Sequence, residues 1–286
     1  ILKNGEIDTI CVHFLDPHMW GVLKNYAQTK RILVWVHGAE IQPWWRREYN
    51  YNTEKELEQA KKESEVRQEF WAEVFSNIEN SKLHFIFVSQ YFADEIFEDN
   101  KITLPADRYS IIHNCIDTEL FSYEEKESEQ RKRILSIRPY ANNKYANDLT
   151  VKCIQELSKK DFFSELEFRL IGKGELFDST LAPLKKYKNV LTEERFLRQE
   201  EIAQLHKEYG IFLTPTRMDA QGVSRDEAMS SGMVTVTNAV TAIPEFVDEN
   251  CGILAPGEDY IAMAQGIEQL YRDPDLFQKL SENAAK

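Results

Sequence analysis

Chemistry-bearing residues are densest between Ile211 and Glu249, which reads IFLTPTRMDAQGVSRDEAMSSGMVTVTNAVTAIPEFVDE. Thr214-Pro215-Thr216 closes an apolar run of strand character, and Gly222-Val223-Ser224 opens a helix. The first turn of a helix leaves amides unpaired at its positive dipole end, so such a mouth can hold an anion. Asp219 and Glu227 stand eight positions apart on either side of the glycine turn. One carboxylate falls in the loop before the helix and the other in its first turn. Each also has a plainer reading. Ser224-x-x-Glu227 is a capping box, which spends Glu227 on its own backbone, and Asp219 fits an Asx-turn.

Three further strand ends carry candidate groups. His37-Gly38 ends RILVWVHG; a histidine there can donate to a sugar hydroxyl or simply to a neighbouring loop. Arg138-Pro139-Tyr140 follows Ile134–Ile137, with Lys144 six residues beyond Arg138. An arginine fork and a lysine point charge on one loop could clamp a diphosphate, or could be two solvated surface charges. Gly172-Lys173-Gly174-Glu175 follows Glu167–Ile171. Phe177 takes the third glycine of a dinucleotide fingerprint, and no Gly-Lys-Ser/Thr of a P-loop is present. What remains is a tight turn through which a backbone approaches a ligand.

These groups need elements that aim them. Short β-branched runs recur at Thr9–His13, Arg31–His37, His84–Ser89, Tyr109–Asn114, Arg133–Ile137, Glu167–Ile171, Gly210–Thr214, Met233–Thr237 and Gly252–Leu254. Apolar strands alternating with helix-length segments call for parallel sheets covered on both faces. The clearest helix opens at a Thr53/Glu56 capping box and carries Leu57, Ala60, Phe70, Trp71, Val74, Phe75 and Ile78 on one stripe. Further helices are expected at Leu149–Leu157, Gln199–Glu208, Ser224–Ser231, Ile243–Asp248, Tyr260–Arg272 and Pro274–Ala284. The charged stretch YEEKESEQRK, ending at Lys132, lacks an apolar face and reads as a solvated linker. The expected organisation is therefore α/β: two Rossmann-like, doubly wound parallel-sheet domains, 1–121 and 122–286. In such sheets ligands bind beyond the carboxyl ends of the strands.

Composition narrows the function classes. The chain has 286 residues, 42% hydrophobic and 29% charged, which excludes wholesale disorder, collagen and coiled-coil rods. Runs such as Ile32–Val36 are too short to cross a bilayer, and Lys3, Asn4, Glu6 and Asp8 interrupt any signal-peptide core. The first residue is Ile1 and the chain reads as a fragment or processed piece. Thirty-five Lys+Arg against 48 Asp+Glu leave −13. Residues 1–120 hold 13 against 20 and the rest 22 against 28, or −7 and −6. With no basic half, nucleic acid is not an expected partner, and any membrane contact is a weak peripheral patch. A phosphorylated ligand must then be held by a few well-placed cations and amides. Cys11, Cys115, Cys153 and Cys251 lack metal-ligand spacing and read as buried thiols in a reducing cytoplasm. No metal ligand set is found.

Together these features resemble the family 4 (group 1) glycosyltransferases, retaining enzymes of GT-B fold. The resemblance rests on Asp219…Gly222…Glu227-Ala228-Met229…Gly232-Met233-Val234 and on Ile243-Pro244-Glu245. It extends to the Arg138/Lys144 pair, the Gly172-Lys173-Gly174 turn, Asn114…Asp117…Phe121 and Val36-His37-Gly38. It implies two domains facing a cleft, the first N-terminally truncated. The family's opening strand and glycine-rich loop would precede residue 1, and its closing helix would follow Lys286.

By this resemblance the second domain binds a nucleotide-diphosphate sugar. Arg138 and Lys144 neutralise the diphosphate, Gly172 and Gly174 line the donor site, and the Gly222, Val223 and Ser224 amides hold phosphate oxygens. Glu227 accepts from the ribose. Asp219, where the family has glutamate, orients the transferred sugar, and His37 approaches the sugar or the acceptor; these two take the catalytic roles. The implied activity is metal-independent retaining transfer to a glycan or lipid-linked acceptor in surface polysaccharide biosynthesis, without a cofactor. Its implied place is the cytoplasm, at the inner membrane face if anywhere on a membrane. The alternatives are a non-catalytic nucleotide- or glycan-binding module, a nucleotide-sugar epimerase, and a phosphorylase carrying pyridoxal on a lysine.

Overall fold

The computed structural model describes residues 7–286. The chain divides into two compact units, Ile1–Asn114 and Cys115–Lys286, seven residues ahead of the seam expected at Phe121.

The first unit carries β1 (Thr9–His13), α1 (Pro17–Leu23), β2 (Arg31–Val36), α2 (Glu54–Ser76), β3 (Leu83–Phe87), α3 (Gln90–Asn100) and β4 (Tyr109–Ile111). Its strands are parallel in the order β1-β2-β3-β4. Ile32, Val34 and Val36 are fully buried along one face of β2. The helices begin where side chains can cap them. Asp16 accepts from the Met19 amide at 2.8 Å ahead of Pro17, and Thr53 and Glu56 form the expected capping box at 3.2 and 3.1 Å. The α2 stripe buries Trp71, Val74 and Phe75, and Phe75 packs on Phe85 of β3.

The second unit carries β5 (Arg133–Ile137), α4 (Asn147–Leu157), β6 (Glu167–Gly172), α5 (Phe177–Leu181), β7 (Val190–Glu194), α6 (Gln199–Glu208), β8 (Ile211–Leu213), α7 (Val223–Ser230), β9 (Val234–Ala239), β10 (Gly252–Pro256), α8 (Tyr260–Arg272) and α9 (Pro274–Ala284). Its six parallel strands lie in the order β10-β9-β8-β5-β6-β7. The chain starts at the centre with β5, winds outward through β6 and β7, then returns to β8 and winds the other way. One core packs Ile134, Leu170 and Val236 against Leu149, Ile154, Ile267 and Phe277. A second packs Leu135, Ile171 and Phe212 against Leu205 and Ala228. Both faces of the sheet are thus covered, as a parallel sheet requires.

Four sequence expectations need correction. The stretch before β5 is no free linker. Lys126 is buried and donates to the His206 carbonyl at 2.6 Å. Gln130 and Arg133 reach the carbonyls of Lys207 and Glu208, each at 2.7 Å. Three donors, two of them cationic, therefore satisfy the carbonyls at the negative end of α6. Second, the helix expected over Ile243–Asp248 shrinks to a single 3₁₀ turn, Ile243–Glu245, with Pro244 in it. Third, the plainer reading of Glu227 as part of a Ser224 capping box does not hold: Gly222 is the N-cap of α7, and no side chain among the described residues caps that helix. Fourth, of the four free thiols only Cys153 is buried, while Cys11 and Cys115 are exposed.

Candidate functional site

β5 and β8 are neighbours whose onward connections leave in opposite directions. Such a reversal opens a crevice at the carboxyl ends of the strands, which no crossover helix fills. The loop after β5 bears Arg138 and Lys144. The loop after β8 bears Asp219 and leads into the mouth of α7. Seven residues singled out from the sequence thus come to one place: Arg138, Lys144, Asp219, Gly222, Val223, Ser224 and, one turn along α7, Glu227.

Arg138 is the pivot. Its backbone amide continues the ladder, donating to the Ile171 carbonyl at 3.0 Å, so its position is fixed by β6. Its side chain is only 5% exposed. Nη1 makes one long contact, 3.5 Å to Ser224 Oγ of α7, and the Tyr145 ring lies 4.9 Å from the guanidinium carbon. Nε and Nη2 are buried without a hydrogen-bond partner among the described residues. Burial pushes the guanidinium pKa down; Asp219 offsets part of that and the Arg225 charge adds to it. A buried cation with two idle donors is costly in the free protein. The arrangement becomes favourable when an anion fills it.

Gly172 and Gly174 act through Arg138. A Cβ on Gly172 would lie 1.8 Å from the Arg138 carbonyl oxygen, and one on Gly174 would lie 2.3 Å from the Tyr140 carbonyl carbon. The backbone that these glycines admit is the chain's own. The Tyr140 amide donates to the Lys173 carbonyl at 2.9 Å, and the Tyr140 carbonyl accepts from Leu176 at 3.0 Å. Two loops are thereby laced together under the guanidinium.

The other loop is tied down just as firmly. Arg217 binds Asp148 through two nitrogens at 2.8 and 2.9 Å and Glu258 at 2.7 Å. Its amide donates to the Lys144 carbonyl at 2.8 Å, and Thr216 Oγ1 reaches the same oxygen at 3.2 Å. Thr241 exchanges hydrogen bonds with both backbone groups of Asp219, at 3.0 and 2.9 Å. Asp219 Oδ1 accepts from the Gln221 amide at 3.3 Å. The Asx-turn is therefore real, and the carboxylate still bears on Arg138.

Gly222 adopts φ +101°, a left-handed conformation that favours glycine. Beneath it Arg225 is buried, paired with Asp226 at 2.5 Å and stacked 4.9 Å from the Phe246 ring. Glu227 is half-buried, and burial, aided by the neighbouring charge of Asp226, pushes its pKa up to about 7.

His37 belongs to the first unit, where it follows β2. Its Nε2 lies 2.9 Å from Nδ1 of His13 at the end of β1, and Phe14 stacks on its ring at 4.4 Å. Burial holds the imidazole below its usual pKa, with Glu40 opposing and His13 adding to the shift. Sequence reasoning missed His13, Tyr145, Arg217 and Arg225. His13 had a signal, since it ends an apolar run just as His37 does.

Comparison with known proteins settles the lineage. Residues 131–273 match the family described as "Glycosyl transferases group 1". The chain belongs to that family. Among solved structures, a point mutant of S. aureus TarM in complex with fondaparinux, α-GlcNAc-glycerol and UDP superposes with TM-score 0.67 at 16% identity. That match covers 90% of this chain and 47% of TarM. WaaG, a glycosyltransferase involved in lipopolysaccharide biosynthesis, gives TM-score 0.68 at 14% identity, covering 93% of this chain and 75% of WaaG. The C-terminal domain of the Francisella tularensis group 1 protein LpcC gives 0.51 at 19% identity, covering 60% of this chain and 95% of that domain. Among curated proteins none matches the chain in sequence. The chain spans about half the length of TarM. The fold is that of the GT-B glycosyltransferases, and this group 1 member carries seven of its candidate residues at the reversal point of the second sheet. No helix among the described residues is long and apolar enough to cross a membrane.

Proposed function

We propose that this group 1 protein transfers a sugar, with retention, from a nucleotide-diphosphate sugar to a glycan or lipid-linked acceptor. The observation that carries the reading is Arg138. A buried guanidinium with two idle donors faces the uncapped mouth of α7 at the point where a doubly wound sheet binds its ligand. The chain is acidic overall, so an anion is held there by local groups and not by the general field.

Arg138, Lys144 and the amides of Gly222, Val223 and Ser224 hold the diphosphate, and Gly172 and Gly174 keep the Arg138 loop in place. Glu227 accepts from the ribose, and Asp219 orients hydroxyls of the transferred sugar. His37, largely neutral at pH 7, meets the sugar or the acceptor. In the transfer step the anomeric C–O bond to phosphate breaks and its electron pair leaves with the diphosphate. The acceptor oxygen bonds to the anomeric carbon on the same face and its proton passes to a phosphate oxygen. Negative charge grows on the departing group, so donors aimed there lower the barrier most. No metal or cofactor takes part in this scheme. That TarM was solved with UDP and WaaG serves lipopolysaccharide biosynthesis supports a nucleotide donor and a surface-glycan acceptor.

Thermal shift with UDP, GDP and ADP tests donor binding. At a hundredfold over its dissociation constant the right nucleotide stabilises by about 2.7 kcal/mol. Lys144→Ala and Glu227→Ala each remove most of that shift. Asp219→Ala keeps it and loses transfer. No shift with any of the three nucleotides, together with no transfer by the full-length protein across a donor panel, overturns the reading.

A further inference from the structure

We propose that Tyr145 is a positioning residue that presets Arg138 for a two-oxygen grip on phosphate and gathers Lys144 to the same spot. The proposal rests on the reading of the β5/β8 crevice as a diphosphate site. Two side chains flank the guanidinium and two of its nitrogens stay open. Its central carbon lies over the Tyr145 ring, 4.9 Å from the centroid, Nη1 is 3.5 Å from Ser224 Oγ, and Nε and Nη2 have no partner among the described residues. The two idle nitrogens are the ones that share an edge of the fork. Parallel N–H bonds from one edge match two oxygens of a single phosphate.

An aromatic face attracts a cation without using any of its N–H groups. Tyr145 therefore steadies the charge and leaves the edge vacant, which a carboxylate partner would not do. Lys144 Nζ lies 5.6 Å from the same ring centroid, so one ring collects two cations that repel each other. The residue is locked by its neighbours. Ala146, which follows it, takes a left-handed φ of +46°, and the Lys144 carbonyl is held by Thr216 and Arg217. Asp219, which supports the Arg138 charge, and Arg225, which opposes it, are the other charged groups bearing on that guanidinium. The open donors, Nε and Nη2, lie in the plane of the guanidinium.

The test is a double-mutant cycle read by calorimetric titration of UDP, GDP and ADP, using whichever binds the wild-type protein best. Tyr145→Phe keeps the ring and binds within about twofold of wild type, whereas Tyr145→Leu weakens binding about 5- to 10-fold. In an Arg138→Lys background the fork is already lost, so Tyr145→Leu costs less than about twofold more. Thermal unfolding of each variant without nucleotide verifies folding, and the Phe variant supplies the comparison should Leu loosen the loop. Equal losses from Tyr145→Leu in both backgrounds, or no loss in either, overturn the positioning role while donor binding stands. Failure of the wild-type protein to bind any of the three nucleotides overturns the site reading itself, and this proposal with it.

Discussion

A single arginine shows how function and stability compete at this site. Arg138 is buried with Nε and Nη2 unpaired among the described residues, so the free protein carries a cost at that point that Asp219 offsets only in part. Replacing it by methionine removes the charge and keeps much of the volume. Arg138→Met is expected to stabilise the nucleotide-free protein by about 1–3 kcal/mol while abolishing the stabilisation by nucleotide. Urea unfolding with and without ligand gives both signs in one experiment, and a destabilised, ligand-responsive variant would contradict the account. Glu227 supplies a second prediction. Its pKa is raised to about 7, first by burial and then by Asp226. The folded state therefore binds more protons than the unfolded one between its usual value and about pH 7, and this contribution to stability fades as pH rises through that window. Ribose hydroxyls donate to the ionised form. Nucleotide affinity should accordingly rise from pH 6 to 8 with proton release on binding, approaching tenfold per pH unit well below pH 7. Glu227→Gln flattens that slope, and calorimetry in buffers of different ionisation heat reads the released proton.

At the scale of elements the site is a set of loops made rigid by close backbone approach. Gly172 has no room for a side chain, since a Cβ would meet the Arg138 carbonyl at 1.8 Å. Gly172→Ala should cost about 3 kcal/mol or more through overpacking and displace Arg138, weakening nucleotide binding as well. Gly21, inside α1, is the control, because a Cβ there would meet nothing within 4 Å. Gly21→Ala should stabilise by about 0.5–1 kcal/mol. Chemical denaturation ranks the two. The strand ends were legible in the sequence because each chemistry-bearing loop follows an apolar run. β7 was not legible: it reads VLTEE, and as an edge strand it buries none of its residues fully. The start of α7 shifts by one residue from the expected Ser224, because Gly222 at φ +101° serves as the N-cap and the helix runs Val223–Ser230. The burial of Lys126 was equally hidden, since it depends on where α6 ends in space. Tyr145 gave no signal either. An aromatic beside a lysine means packing until the fold shows a guanidinium under its ring.

Over the whole molecule, the two units divide the chemistry unevenly. Every group assigned to the nucleotide lies in Cys115–Lys286, and so do the cores that carry it. That unit has its own six-stranded sheet, layered on both faces, at a length ordinary for a domain. What its sheet presents at the β5/β8 reversal depends on contacts within the unit: Arg217 with Asp148 and Glu258, Gly172 with Arg138, Thr241 with Asp219. A fragment covering 115–286 is therefore expected to fold cooperatively and to bind the preferred nucleoside diphosphate, since every group assigned to that ligand lies within it. Calorimetric titration of fragment and intact chain side by side decides it. A folded fragment that has lost the nucleotide would show that the diphosphate depends on residues before Cys115, and the assignment of its ligands to Arg138, Lys144 and the mouth of α7 would be incomplete.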